Sequence, residues 1–254
     1  MPIITQIYRY PFKGMSPEAL RRVSLEVGQP IHLDRNFALA HGTTQFNPEA
    51  PQHLPKTEFL MLLKNEKLAA LTTVYDDSTG IFHIYQQGQA VAQGDLQEVA
   101  GQQAIELFFL NYLGSEIRGQ PKIVQAPEFM FSDVKEKVLS CINLASIREL
   151  EQVLGVAVDP LRFRANVYFD GLPAWQELDW VSREFRLGTA NMRVLKCIER
   201  CAATNVNPQT AIRDLSIPST LMNTYGHRQL GIYAQVIGAG EMAVGDHLNL
   251  NYTS

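Results

Sequence analysis

Short alternating runs of β-branched and aromatic residues, each cut off by glycine, proline or aspartate, recur along this chain and leave little room for long helices. The opening IITQIYRYPF alternates as a half-buried strand does and stops at Pro11, just before Lys13-Gly14. Further strand-like runs fall at 22–27, 36–40, 59–63, 68–75 and 81–86, with turn-rich pieces at 47–55 and 76–80 between them. The pattern returns at 163–169, 184–187, 193–198, 232–237 and 247–250. Glycine turns at Gly188, Gly238 to Gly240 and Gly245 fit a barrel better than an open parallel sheet. The expected fold class is mainly β with a few helices (α+β): a first half that is a β-rich sheet or barrel, followed by a second β-rich domain whose turns fit a barrel.

Two helices interrupt this pattern. Over 96–113, Leu96, Val99, Ala100, Ala104, Leu107, Phe108 and Leu110 recur with a helical period that ends before Gly114. Over 144–154, Leu144, Ile147, Leu150 and Leu154 share one face, and Gly155 supplies a stop. The polar, proline-containing piece 114–127 between them is the expected boundary, dividing the chain into 1–115 and 116–254. No fixed-period repeat is present, and the glutamine-rich stretch 86–103 is too short to argue for disorder.

Of the 254 residues, 46% are hydrophobic and 19% charged, as in a globular protein with a sizeable core. A net charge of -4 gives no general attraction to nucleic acid or to an anionic membrane, although a basic pocket can hide inside that average. No nucleic-acid partner is expected. Three cysteines show no disulfide-framework spacing, and MPIITQIYRYPFKG lacks the layout of a signal peptide, so a cytoplasmic protein with reduced thiols is expected. The longest apolar run, 105–110, falls far short of the ~20 residues of a membrane helix. No membrane association is expected.

The densest chemistry lies in CIERCAATNVNP, Cys197 to Pro208. Arg200 precedes Cys201, and a fixed cation beside a thiol favours the thiolate that binds soft metals or attacks electrophiles. Cys197 and Cys201 read equally as two small core residues. In RFRAN, alternation would place Arg162, Arg164 and Asn166 on one strand face, an edge suited to phosphate or carboxylate, or simply a solvated polar face. Lys13 and the pair Asp34-Arg35 add cations at strand boundaries. They matter only if both halves bring Lys13, Arg35, Arg164 and Arg200 to one cleft. There is no GxGxxG after a strand, no Walker loop, no GxSxG and no HExxH. Zinc would need Cys141 or His227 recruited from afar, and no histidine is marked as the base of a cysteine protease.

Taken together these residues resemble the MOSC-domain proteins, in particular the branch with an N-terminal β-barrel that includes the mitochondrial amidoxime-reducing component and its bacterial relatives. YPFKG at Tyr10 to Gly14 resembles that branch's YPVK, Asp34-Arg35 its DR, Phe131-Ser132-Asp133 its YSD, and RFRAN its FRPN. Arg200-Cys201 followed by TNVNP at Thr204 to Pro208 is similar to its RC and TTVDP. Gly231 with Tyr233, and Val244-Gly245-Asp246, resemble its closing GQY and VGD. The first half would then be the N-terminal β-barrel domain and the second a β-barrel MOSC domain.

The resemblance implies a molybdenum cofactor, in which a pterin dithiolene chelates the metal and a protein cysteine adds one sulfur. Cys201 takes the place of that metal-ligand, catalytic cysteine. Lys13, Arg35, Arg164, Asn166 and Arg200 fall on cofactor-binding positions, and Ser132 and Asp133 match a segment lining the cofactor. The family is also associated with pyridoxal phosphate binding. The implied reaction is reduction of N-hydroxylated compounds such as amidoximes or hydroxylamines, with a small-molecule substrate. Some relatives carry a ferredoxin domain. No cysteine cluster here would hold one, so a separate electron-donor protein is expected. The start of the sequence close to the first strand reads as lacking the mitochondrial relatives' anchor.

There are departures. The two cysteines stand three residues apart rather than two, so the alignment is made on Arg200-Cys201 and Cys197 is not the ligand. Asn205 and Asn207 replace Thr and Asp, and Gly14 and Ala165 replace polar and proline residues. Two other readings therefore stand beside the reductase: a cofactor carrier or persulfide-handling protein working through Cys201, and a binding module that has lost the metal.

Overall fold

The computed structural model describes residues 1–250. Its strands and helices are β1 (Ile3–Arg9), β2 (Glu18–Leu20), β3 (Arg22–Leu25), β4 (Phe37–Ala40), β5 (Leu71–Asp76), β6 (Ile81–Gln86), β7 (Gln89–Asp95), α1 (Val99–Leu113), β8 (Lys122–Gln125), β9 (Leu139–Asn143), α2 (Leu144–Leu154), β10 (Val167–Asp170), β11 (Glu184–Leu187), β12 (Ala190–Glu199), α3 (Ile217–Tyr225), β13 (Gln229–Gly238), β14 (Gly240–Ala243) and β15 (Leu248–Asn249). The protein is mainly β with a few helices, as its turn punctuation predicts.

The largest sheet has eight strands in the order β15-β11-β12-β13-β9-β10-β1-β2. Its ends curl toward each other: Ile4 N–H donates to Asp246 O at 2.8 Å, Gly245 N–H to Ile4 O at 2.8 Å and Leu248 N–H to Pro2 O at 2.9 Å. Closure of this kind removes exposed sheet edges. The single parallel pair in this sheet, β9 with β10, needs a crossover, which α2 provides. Asn143 caps α2 by accepting from Ala145 N–H at 3.1 Å, and Gly155 ends it at φ +68°.

The first half forms its own core. Sheet β5-β6-β7 and helix α1 bury Leu71, Phe82, Ile84, Ile105, Phe109 and Leu113 together with Phe12 and Phe37. The helix starts three residues later than its apolar period because Leu96 is held in a turn, its N–H on Gly80 O at 2.9 Å. At that turn the backbones touch: a Cβ on Gly101 would lie 2.1 Å from Asp95 O, so glycine is required.

Strand pairing crosses the expected division at 115/116. β1 pairs with β10, so β1 and β2 belong to the large sheet of the second half, while β3 with β14 and β4 with β8 form separate two-stranded sheets across the same division.

Strand expectations are corrected at two places. The run at 59–63 makes only an isolated bridge at Phe59 and then turns, because Asn65 Oδ1 accepts from Met61 N–H at 3.1 Å. The strand expected at 163–169 starts only at Val167. Asp159 caps a short 3-10 turn over Pro160–Phe163, and Arg164 is left-handed at φ +53°. Arg162, Arg164 and Asn166 therefore do not share a strand face. Helix α3 was not anticipated, although Pro218 in its first turn and Gly226 at its end are ordinary helix punctuation. Among the described residues no helix is long and apolar enough to cross a membrane.

A cationic cleft around Cys201

Between the two halves lies a cleft of about 440 Å³. Lys13, Arg35, Lys56, Arg162, Arg164, Lys196 and Arg200 line it against only two carboxylates, Asp133 and Glu199, in a chain whose net charge is -4. Ser132, Asn166 and Cys201 line it too, so every residue singled out from the sequence as a site candidate reaches the same cavity.

Lys13 follows β1 and is buried, its Nζ donating to Phe131 O at 3.1 Å and to Asp133 Oδ1 at 2.6 Å. Burial pulls the Lys13 pKa below its ordinary value, and Asp133 only partly offsets this. Lys56 reaches in from the first half, 3.3 Å from Asp133 Oδ2 and 3.6 Å from Cys201 Sγ. Its pKa is raised: burial works against the charge, but Asp133 and Cys201 outweigh it. No local signal marks Lys56, which lies just past the turn-rich 47–55 stretch, and sequence reasoning missed it.

Arg35 and Arg164 share the fully buried Tyr10 ring, their guanidinium carbons 4.9 and 4.3 Å from its centroid. Asp34 pairs with Arg35 and accepts from Tyr10 N–H at 2.8 Å, and Arg35 Nη2 donates to Arg164 O at 2.9 Å. Desolvation pushes the Arg164 pKa down to about 10 and the Tyr10 hydroxyl up to about 12. With one carboxylate between two enclosed guanidiniums, this end of the cleft favours an anion.

Arg200 follows β12, buried, donating from Nε to Leu230 O at 2.8 Å and from Nη1 to Phe163 O at 3.1 Å. Its Nη2 and the Nε of Arg162 are buried without an acceptor in the protein, so the cleft wall holds unused donor capacity. Cys201 is partly exposed, and Thr204 fixes its carbonyl through both N–H and Oγ1. The other thiols are poor thiolates. Burial alone pushes Cys141 up to about 12, and burial with Glu177, Asp179 and Glu199 raises Cys197.

Two candidates are engaged elsewhere within the fold. Asn166 accepts from Ser140 N–H and Oγ and donates to Tyr8 O, joining β9 to β1, and Ser132 Oγ closes a turn on Val134. Glu177 is fully buried on Ser146 and Asn143, and Trp180 stacks on Phe169, so both are structural. Among the described residues no three His, Cys, Asp or Glu side chains gather to hold a metal ion, so any metal at Cys201 needs most of its donors from a ligand. Pyridoxal phosphate finds no support here, since Lys13 and Lys56 are both ion-paired to Asp133.

The MOSC-domain family model matches residues 119–249, just over half of the chain, and the chain belongs to that family. Among solved structures, it is similar to YiiM from Geobacillus stearothermophilus at 22% identity over 45% of this chain and 54% of that one, with a TM-score of 0.35. It is similar to YiiM from Escherichia coli at 24% over 46% and 55%, with a TM-score of 0.32, and so spans about half the length of both YiiM proteins. The YuaD protein from Bacillus subtilis is 11% identical over 98% of this chain and 94% of that one, with a TM-score of 0.44.

Proposed function

We propose that the cleft holds a molybdenum-pterin cofactor with Cys201 as the protein's sulfur ligand, and that the loaded protein reduces N-hydroxylated compounds such as amidoximes or hydroxylamines. The observation that carries this reading is the convergence, from both halves of a MOSC-family chain, of seven cations and unused guanidinium donors on one cleft with two partly exposed thiols, of which Cys201 is the one beside Lys56. A thiolate is the right donor for a metal already held by sulfur.

When bound, such a group supplies the oxygen-atom chemistry itself. The chain's own residues bind and orient. Arg35, Arg164 and Arg200 supply donors to an anionic pterin tail, with Asn166 beside them in the wall, and Lys13, Ser132 and Asp133 shape the wall facing Cys201. Overall, the N–O bond breaks, two electrons and two protons are consumed, and the oxygen leaves as water. The electrons come from a separate donor protein and the protons from solvent.

The test is molybdenum by elemental mass spectrometry and pterin by fluorescence after oxidation, on wild type and Cys201→Ala from a host that makes the cofactor. Near-stoichiometric metal and pterin in wild type, with metal lost in Cys201→Ala, is expected, followed by viologen-driven reduction of an amidoxime. Wild type carrying neither would overturn the reading. Loaded protein inert toward every N-hydroxylated compound, or a persulfide on metal-free Cys201 by intact mass, would instead point to a carrier or sulfur-handling role.

A further inference from the structure

One side chain joins the Cys201 turn to a segment of the first half that also lines the cleft. Arg213 Nη1 donates to Ala202 O at 2.8 Å, and Nη2 donates to Leu62 O at 3.0 Å, Leu63 O at 2.9 Å and Glu66 Oε2 at 3.0 Å. Ala202 follows Cys201 directly, while Leu62 and Leu63 line the cleft from the first half. The guanidinium thus ties backbone to backbone across the two halves. A planar fork with donors in fixed directions sets such a distance more tightly than a flexible ammonium does.

The base of Arg213 is itself fixed. Val206 and Arg213 form an antiparallel bridge, Asn207 N–H donates to Ile212 O at 2.8 Å, and Asn207 Oδ1 accepts from Gln209 N–H at 2.9 Å. Ala211 completes this turn at φ +58°, a conformation that a non-glycine residue adopts only where its surroundings impose it. Lys56, from the same half of the chain, also reaches the Cys201 turn, its Nζ 3.6 Å from Cys201 Sγ.

We propose that Arg213 is a positioning residue that clasps the Cys201 turn to the 62–66 segment, setting the separation between the thiol and the wall opposite it and so the access of small molecules to the sulfur. The proposal rests on Cys201 being the working thiol, but not on what it binds.

It is tested on the metal-free full chain by the rate of iodoacetamide labelling at Cys201, read by peptide mass at one pH, and by amide hydrogen exchange. Arg213→Ala is expected to speed labelling of Cys201 about tenfold, as befits loss of several modest hydrogen bonds. Exchange should rise together in residues 61–66 and 202–207. Arg213→Lys, which cannot reach both walls, should fall between, and Glu66→Gln, which leaves the carbonyl contacts, should stay near wild type. An unchanged Cys201 rate in Arg213→Ala, or exchange rising in only one segment, overturns the proposal. If Arg213→Ala also exposes the buried Cys141 or fails to fold, Arg213→Lys decides: faster labelling at Cys201 alone supports the clasp, and a wild-type rate overturns it. Because no metal is present, failure here and failure of the cofactor reading are separate results.

Discussion

Asp133 shows how single charges are balanced in the cleft. It sits between Lys13 at 2.6 Å and Lys56 at 3.3 Å, with 43% of its side chain still exposed. Burial works against its charge, but the two ammoniums win and hold the carboxyl well below the usual range. A native pKa depressed below the unfolded value of about 3.9 contributes stability that is complete above that value and lost as pH falls through the native one. Asp133→Asn should therefore lower the melting temperature by a few degrees at pH 7, an effect limited by solvent screening. The gap from wild type should begin to narrow as the pH falls below about 4, and it closes only below the depressed native value, where Asp133 is protonated and both chains leave Lys13 without a counter-ion. Melting curves across that range check the sign: a gap that stays constant would place the effect in packing rather than charge. Lys13 and Asp133 were both legible as candidates from the sequence, but that they bind each other was not.

At the scale of elements, helix α2 is the part most closely dictated by local chemistry, and its bounds match those read from periodicity and a glycine stop. It buries Ile147 and Leu150 against the cluster that includes Phe163, Tyr168 and Leu221. Leu150→Ala should cost about 2–5 kcal/mol through lost burial and a cavity. A urea titration should show the midpoint falling with an unchanged slope. The turn after Cys201 gives the opposite lesson. Asn205 and Asn207 look in the sequence like departures that weaken a site. In the fold, Asn205 Oδ1 accepts from Ile217 N–H at 2.9 Å, and Asn207 Nδ2 donates to Asp214 at 2.8 Å. Asp214 also holds Arg162 at 2.7 Å, so the asparagines shape the loop that carries Arg213. Alternation misread RFRAN because Asp159 and Pro160 start a turn just before it, and a cap overrides period when only a few residues are at stake.

For the whole molecule, the decisive fact is that the chain's first strands belong to the last sheet. Ile4, Ile7, Leu25 and Ile31 sit in one core with Leu139, Phe169, Met192 and Ile232. A chain of residues 116–254 would lose these and leave β10 without its antiparallel neighbour. We expect that fragment to bind a hydrophobic dye and lack a cooperative melt, whereas the full chain melts cooperatively. A cooperative, dye-free fragment would show that the second half folds without β1.

What the sequence by itself determined are the features decided within a few residues: the short strands and their turns, the two anticipated helices, the cation beside Cys201 and the motifs that resemble the family. The cleft lay beyond it. Lys56 and Cys201 are 145 positions apart, Lys13 and Asp133 are 120 apart, and Arg213 and Leu62 are 151 apart. A charged side chain carries no periodic mark of its distant partner. Only closure of the eight-stranded sheet around the chain's own beginning, driven by burial of apolar residues from both ends, brings those charges to one thiol.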